Sequence, residues 1–524
     1  MEVRGNGMEL LSIVPPIVAV VLAIATKRVL FSLFISIWVG GMIAAGGNPL
    51  TGVGLTFTWM KDVMVDPWNA RFLVMTALLG TGAAFMFKTG GSEGLIKVLV
   101  KRLTTRRRVQ LLPFFLGIII FFNDYVNSVI VGNASKDITA KYKISREKLA
   151  YILDSTSAPM ATIGPVSDWI GFQVSLIAAA VASASIIGVE PYFAFLQSIP
   201  WNFYAILCLL AVPMIIMGKD FGPMAKAEHR AQTTGKLVPD GSTPLSSIED
   251  DLGEPYKSDG SVWNFVLPLV ALVSVSLWGL WYTGGGATGK SMMDALADTD
   301  VSIALTWGAF AMTVVGIILA LIQGMSLKLC EDTLLGGIRT MLPALVIIVL
   351  AWSIGTVTSE LGTAEFVVGA TESWMTPALV PFLIFIIGMF ISFATGTSWG
   401  TMSILTPIAI PLAFAIGGVS IIPIVIGAVF AGSIFGDHVS PISDTTVMAS
   451  IFSGSDHIAH VNTQIPYAIV PAAISGILYL LYSIIDNSIV LLVAGVLIQF
   501  FTLRYLGNRH HRKYSNLASE KLGA

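Results

Sequence analysis

The sequence predicts an all-α polytopic membrane protein of two inverted repeats, with re-entrant hairpins and broken transmembrane helices. Three observations lead there. Of 524 residues, 55% are hydrophobic and only 12% charged, with mean hydropathy +0.79. Soluble domains carry about 25% charged residues, so too few charges are present to cover a water-soluble fold. A Pro-x-Ser-Asp pattern occurs once in each half of the chain. Basic residues crowd loops of the first half and are missing from the equivalent loops of the second.

A helix crossing the hydrocarbon core takes about 20 mostly apolar residues. Full spans are expected at 8–25, 29–46, 71–87, 169–188, 201–217, 263–282, 301–323, 341–358, 466–485 and 487–506. The first lacks a strong basic leader and a small-residue cleavage site, and reads as a retained span. Segments 109–131, 149–168, 377–416 and 421–447 are apolar but interrupted by polar residues. The span count is therefore about eleven to fifteen, depending on how these broken pieces are scored. Residues 1–217 are read as the first transmembrane repeat and 218–262 as a cytoplasmic linker of low order. A second, inverted repeat at 263–485, an extra span at 486–506 and a basic tail at 507–524 follow. Cys208 and Cys330 lie in or beside apolar segments without metal-ligand spacing and read as packing residues.

Pro165-Val166-Ser167-Asp168 returns as Pro441-Ile442-Ser443-Asp444, 276 residues later. The same offset lays Phe121-Phe122-Asn123-Asp124 on Thr397-Ser398-Trp399-Gly400, both polar breaks in apolar segments. Segment 88–108 holds seven basic residues, whereas its counterpart 359–376 holds none and has three glutamates. Loop 132–148 has five basic residues and its counterpart 417–420 none. Lys and Arg concentrate in cytoplasmic loops, so equivalent loops are expected on opposite sides of the membrane. That places a multi-pass protein in a cell (inner) membrane with its C-terminus cytoplasmic. Segments 109–131 and 377–416 become re-entrant hairpins from opposite faces.

Irregular backbone at membrane depth survives only where protein buries it or it lines a wet cavity. Each half has two such places, around Asn123–Ser128 and Asp154–Asp168, and around Thr395–Thr401 and Gly436–Thr446. Freed carbonyls and Ser, Thr and Asn oxygens, with one or two carboxylates, suit a sodium ion, and helix ends add partial charges. Asp124, Asp154, Asp168, Asp437 and Asp444 all fall in or beside these breaks, where a carboxylate marks an ion or proton pathway by default. Structural capping is the bland reading of any one of them. Neutral oxygens would come from Asn123, Asn127, Ser157, Thr395, Thr397, Ser398, Ser440 and Ser443. His438, beside Asp437, reads either as a proton relay or as a structural hydrogen-bond partner. His457 and His460 are expected near the cytoplasmic surface, and no transition metal is expected there. There is no Walker motif. Neither an enzyme nor direct ATP drive is expected, and no nucleic-acid partner.

The run Gly436-Asp437-His438-Val439-Ser440-Pro441-Ile442-Ser443-Asp444-Thr445-Thr446 is followed by Ser453-Gly454-Ser455-Asp456-His457 and Thr463-Gln464-Ile465-Pro466-Tyr467. In this order the sequence resembles the NhaC-type sodium/proton antiporter family, within the wider ion-transporter superfamily. Phe122-Asn123-Asp124-Tyr125 and Asp154-Ser155-Thr156-Ser157-Ala158-Pro159 are similar to it too. The resemblance implies inverted repeats, a homodimer in the lipid bilayer and elevator-like motion. It leaves the substrate open, because some members exchange sodium or protons against organic acids and others carry amino acids. The first expectation is exchange of cytoplasmic sodium for external protons, with no cofactor beyond Na+ and H+ as transported ions. Asp168 and Asp444 would then stand at facing half-helix ends. The alternative is a sodium- or proton-coupled carrier of a small organic acid or amino acid, held by Thr395, Gly396, Thr397 and Ser398 with Asn127, the tip amides taking its carboxylate. A passive channel is a third reading.

Overall fold

The computed structural model describes residues 10–26, 28–100, 104–164, 167–242, 255–256, 260–290, 299–363, 366, 369–370, 375–441 and 443–522. Among them every regular element is a helix. The first half comprises α1 (Val14–Thr26), α2 (Val29–Ala44), α3 (Pro49–Val65), α4 (Pro67–Lys88) and α5 (Gly91–Val100). A hairpin of α6 (Arg106–Ile119) and α7 (Asp124–Lys141) follows. Next come α8 (Arg146–Thr156), the single turn α9 (Ala158–Ala161), α10 (Asp168–Ser183), α11 (Pro191–Ser198) and α12 (Phe203–Met217). After α13 (Gly222–Thr234), the second half has α14 (Trp263–Thr283), α15 (Val301–Ile322) and α16 (Leu327–Leu361). It continues with the hairpin α17 (Val380–Thr395) and α18 (Ser398–Gly417), then α19 (Ile422–Val439), α20 (Asp444–Ser453), α21 (His457–Leu481) and α22 (Ser488–Leu522).

Among the described residues, seven helices are long and apolar enough to cross a membrane, or nine if two bent pairs each count as one span. This is fewer than the hydropathy reading, because α1, α10 and α17, with 13, 16 and 16 residues, fall short of the roughly 20 that cross the core. Segment 49–65, assigned no element above, is a helix bent 119° from α2. Its start is a capping signal: Asn48 Oδ1 accepts from Leu50 and Thr51 N–H, with Pro49 at the first helical position. Asp66 and Pro67 open α4 in the same way. The expected span 341–358 is part of a longer helix of 35 residues.

The two halves keep one register. Helices α8 and α19 begin at 146 and 422, and α10 and α20 at 168 and 444, each pair 276 residues apart. The packing is reciprocal as well. Half-helix α10 lies against α18, the second arm of the other half's hairpin, while α20 lies against α7, the second arm of the first. Each Pro-x-Ser-Asp pattern is a helix start, with Ser167 Oγ accepting from Ile170 N–H at 3.1 Å and Ser443 Oγ from Thr446 N–H at 3.2 Å.

Over residues 218–242 the linker is not the loop of low order that its composition suggested. Its helix α13 docks on α8 and α21. Arg230 donates to both Glu147 oxygens at 2.9 Å, and Arg106 pairs with Glu228. Fully buried Lys148 pairs with Asp220, which also accepts from Tyr467 Oη at 2.6 Å. Charges that read as solvation in the linear sequence are here partners for charges at the base of α6 and α8.

Candidate functional site

The site forms where the two halves cross, at the break between α19 and α20. Helix α19 brings Asp437 there through close packing on α17. A Cβ at Gly436 would lie 2.4 Å from the Met389 carbonyl oxygen, and one at Gly432 would lie 2.4 Å from that of Phe385. Small residues four apart let two backbones touch at that depth. The hairpin tip turns at Gly396, whose φ of +67° favours glycine. Thr397 then caps α18, its Oγ1 accepting from Gly400 N–H at 3.3 Å.

Two buried carboxylates meet on adjacent residues of α20. Asp437 Oδ2 accepts from Ser398 Oγ at 2.6 Å and from Thr445 Oγ1 at 3.5 Å. Asp154 Oδ2 accepts from Thr446 Oγ1 at 3.0 Å and from Gln464 Nε2 at 2.6 Å, and His460 Nε2 stands 3.9 Å away. Asp154, Asp437, Ser398 and Gln464 are all nine-tenths or more buried. The carboxylate neighbourhoods differ in chemistry. Around Asp437 lie hydroxyls, which can turn lone pairs toward a cation. Around Asp154 lie an amide N–H and an imidazole as well, groups suited to a proton.

The remaining expected residues divide by role. His438 is braced at both ring nitrogens, with Tyr204 Oη 2.7 Å from Nδ1 and Ser155 Oγ 3.2 Å from Nε2. Consecutive side chains diverge by about 100° around a helix, so His438 turns away from Asp437. Asn127 Nδ2 spends its hydrogens on the carbonyls of Gly117, Ile120 and Thr156, at 2.7, 3.0 and 3.1 Å, and ties the first hairpin to α8. Its Oδ1 is buried with no hydrogen-bond partner among the described residues, as is Thr395 Oγ1. Asn123 Nδ2 donates to Met341 Sδ at 3.5 Å, and buried Asp124 opens α7. Ser157 Oγ donates to the Asp154 carbonyl at 3.0 Å and Ser440 Oγ to that of Phe393 at 2.7 Å. Ser443 Oγ, besides capping α20, lies 3.0 Å from Thr445 Oγ1. Asp168 and Asp444 stand at the first positions of α10 and α20, while their side chains lie outside the described residues, as do Pro165, Val166 and Ile442.

His460 is the clear correction. Expected near the surface, it is fully buried against the site, because α21 begins at His457 and carries it inward. Gln464, Thr445 and Thr446 were not singled out either. The signal was an i, i+4 pair, His460 and Gln464, on one helix face. Cys208 packs 3.8 Å from His438 Nδ1, and both cysteines are free.

A family model described as the Na+/H+ antiporter family matches residues 160–484. An uncharacterised protein of Haemophilus influenzae is 32% identical over 495 residues, 92% of each chain. The malate-2H(+)/Na(+)-lactate antiporter of Bacillus subtilis is 32% identical over 183 residues, covering 35% of this chain and 38% of that one. Among solved structures, the YdaH transporter of Alcanivorax borkumensis aligns with TM-score 0.54 at 15% identity, over 82% of this chain and 88% of that one, a likeness of fold alone. With its family match extending over more than half its length, this multi-pass membrane chain belongs to the Na+/H+ antiporter family.

Proposed function

We propose that this antiporter exchanges cytoplasmic sodium ions for external protons by alternating access, using the two carboxylates as separate but touching stations. The observation that supports this is the meeting of Asp437 and Asp154 on the adjacent hydroxyls of Thr445 and Thr446. Asp437, Ser398 and Thr445 form the cation station, an anionic oxygen with two hydroxyls. Asp154, with Gln464 and His460, is the proton station. Because α20 carries both threonines, an ion that pulls Thr445 toward itself moves Thr446 against Asp154. Ser398 belongs to the hairpin tip, so cation binding also reports to the hairpin.

Proteoliposomes with an entrapped pH dye test this. A sodium gradient alone is expected to drive proton movement, and Asp437→Asn to abolish it with folding intact. Wild-type exchange in that variant removes Asp437 from the cation station. A second reading, proton- or sodium-coupled exchange of a small organic acid or amino acid, is favoured by an aromatic wall beside the hairpin tip. Trp399 stacks on Phe172 at 4.3 Å and meets Trp169 edge-on at 5.7 Å. The Bacillus subtilis relative is named for malate and lactate exchange, and a Halobacterium salinarum relative for arginine and ornithine. A strict requirement for an organic solute in the same vesicles selects this reading.

A further inference from the structure

We infer that His457, Ser450 and His460 form a relay holding one shared proton, which carries protons between the edge of the fold and Asp154. The inference rests on the proton-coupled reading above and assigns the path by which Asp154 is loaded.

Hydrogen-bond accounting leads to it. Gln464 Nε2 lies between two acceptors, Asp154 Oδ2 at 2.6 Å and the His438 carbonyl at 2.5 Å. The amide nitrogen therefore points to them, and Oε1 faces His460 Nε2 at 2.9 Å. An amide oxygen only accepts, so His460 Nε2 carries a hydrogen and the neutral ring leaves Nδ1 as a lone pair. His457 Nε2 lies 2.7 Å from the Pro441 carbonyl, which fixes the same tautomer there. Both lone pairs then aim at one hydroxyl: Ser450 Oγ is 2.9 Å from His460 Nδ1 and 3.0 Å from His457 Nδ1. A single hydroxyl hydrogen cannot serve both rings, and the Thr446 carbonyl, 2.8 Å away, competes for it. One added proton closes the chain. The protonated ring donates to Ser450 Oγ, and Ser450 donates to the other ring.

Transfer follows from this geometry. His457, half-buried beside exposed Pro441, takes a proton from water at Nδ1 with its ring swung outward, and swings back to place Nδ1–H on Ser450 Oγ. Ser450 Oγ accepts that proton as it passes its own hydrogen to His460 Nδ1. Ser450 is neutral before and after, His457 returns to neutral, and His460 becomes the cation. Its Nε2–H, donated to Gln464 Oε1 at 2.9 Å, stands 3.9 Å from Asp154 Oδ2, where the charge is paired; the proton passes to Asp154 when the ring turns from Gln464 to the carboxylate, leaving His460 neutral with its hydrogen on Nδ1. Other charged or titratable groups surround the path. On α8 these are Arg146 and Asp154, on α7 Lys136, on α19 Asp437 and His438, and on α21 Asp456, the cap of that helix. Lys136 and Arg146 flank the turn at Gly454 between α20, which carries Ser450, and α21, which carries both histidines. Their positive charge favours moving the proton inward to Asp154.

The test compares Ser450→Ala, Ser450→Thr and His457→Gln in proteoliposomes with an entrapped pH dye, alongside equilibrium sodium binding by calorimetry. Ser450→Ala is expected to lower sodium-driven proton flux at least tenfold while sodium binding stays within twofold, and Ser450→Thr to restore the flux. His457→Gln, at a half-exposed position that does not threaten folding, is expected to lower flux similarly and flatten its pH profile. Wild-type flux and pH profile in both Ser450→Ala and His457→Gln overturn the relay alone. Wild-type vesicles that move no protons, with sodium or with any organic acid, overturn the relay together with the exchange reading.

Discussion

Ser398→Ala isolates the link between the hairpin tip and the proposed cation station. The hydroxyl donates to Asp437 Oδ2 at 2.6 Å, within the range of charge-assisted O–H···O⁻ bonds. Such bonds are worth about 1.5–3 kcal/mol net, and deletion leaves a buried acceptor without that donor. When a cation occupies the station, the same oxygen is one of its neutral donors, so the loss falls on binding. At about 1.4 kcal/mol per factor of ten, sodium affinity is expected to fall roughly ten- to hundredfold. The assay is the sodium dependence of proton flux in vesicles, with maximal flux measured at saturating sodium. Half-saturation is expected to rise by that factor, and Ser398→Thr, which retains the hydroxyl, to recover most of it. A double-mutant cycle with Asp437→Asn, read as melting temperature because that variant is expected to carry no flux, is expected to show strong coupling, since the two residues share one bond. An unchanged half-saturation in Ser398→Ala, or additive effects in the cycle, would refute the assignment.

Gly436→Ala places a methyl 2.4 Å from the Met389 carbonyl and 2.5 Å from Phe393 N. Overpacking against backbone costs about 1–3 kcal/mol, more than the roughly 1 kcal/mol of helix propensity gained, so both melting temperature and flux should drop. Gly396→Ala forces an alanine into the left-handed region at a cost of about 1–2 kcal/mol. Gly396→Asn, which tolerates that region better, is expected to be milder, and the reverse order of melting temperatures would contradict the tip geometry. Lys148→Met strands Asp220 without its buried cation and is expected to lose on the order of 3 kcal/mol of stability. Differential scanning of the purified protein reads this, and an unchanged melting temperature would mean that α13 does not depend on that pair.

How much of this was legible follows from which signals are local. The Pro-x-Ser-Asp pattern could be read because a serine before a helix start leaves a composition mark, and Ser167 and Ser443 do cap α10 and α20. The hairpin tips were visible as polar residues interrupting apolar runs. Helix α3 was hidden because Lys61 and Asp62 dilute its hydropathy, although the Asn48-Pro49 start was on display. Helix α13 was hidden for the opposite reason, since its charges find partners on other elements through contacts remote in sequence. Gln464 and His460 sit in a helix of 25 residues; their i, i+4 spacing puts them on one face, but nothing linear tells that this face meets the site.

The repeat explains the scaffold, and the departures from it locate the chemistry. Shifted by 276 residues, Asp154 falls on Phe430 and Asp437 falls on Ala161, so the two carboxylates that meet are not symmetry mates. Helix α8 breaks at Ser157 and resumes as α9, whereas its counterpart α19 runs unbroken to Val439. The duplicated framework supplies two crossing half-helices and two hairpins, which would build two equivalent polar centres if the side chains followed. Instead both acids lean on α20, through Thr445 and Thr446. Two identical centres would bind two cations independently. One centre with dissimilar acids, an oxygen-lined one and an N–H-lined one, lets occupancy of the first act on the second across a single peptide unit. The proposed exchange requires that interdependence, and side chains that depart from the repeat would supply it, while the backbone keeps the 276-residue register at the starts of α8 and α19 and of α10 and α20.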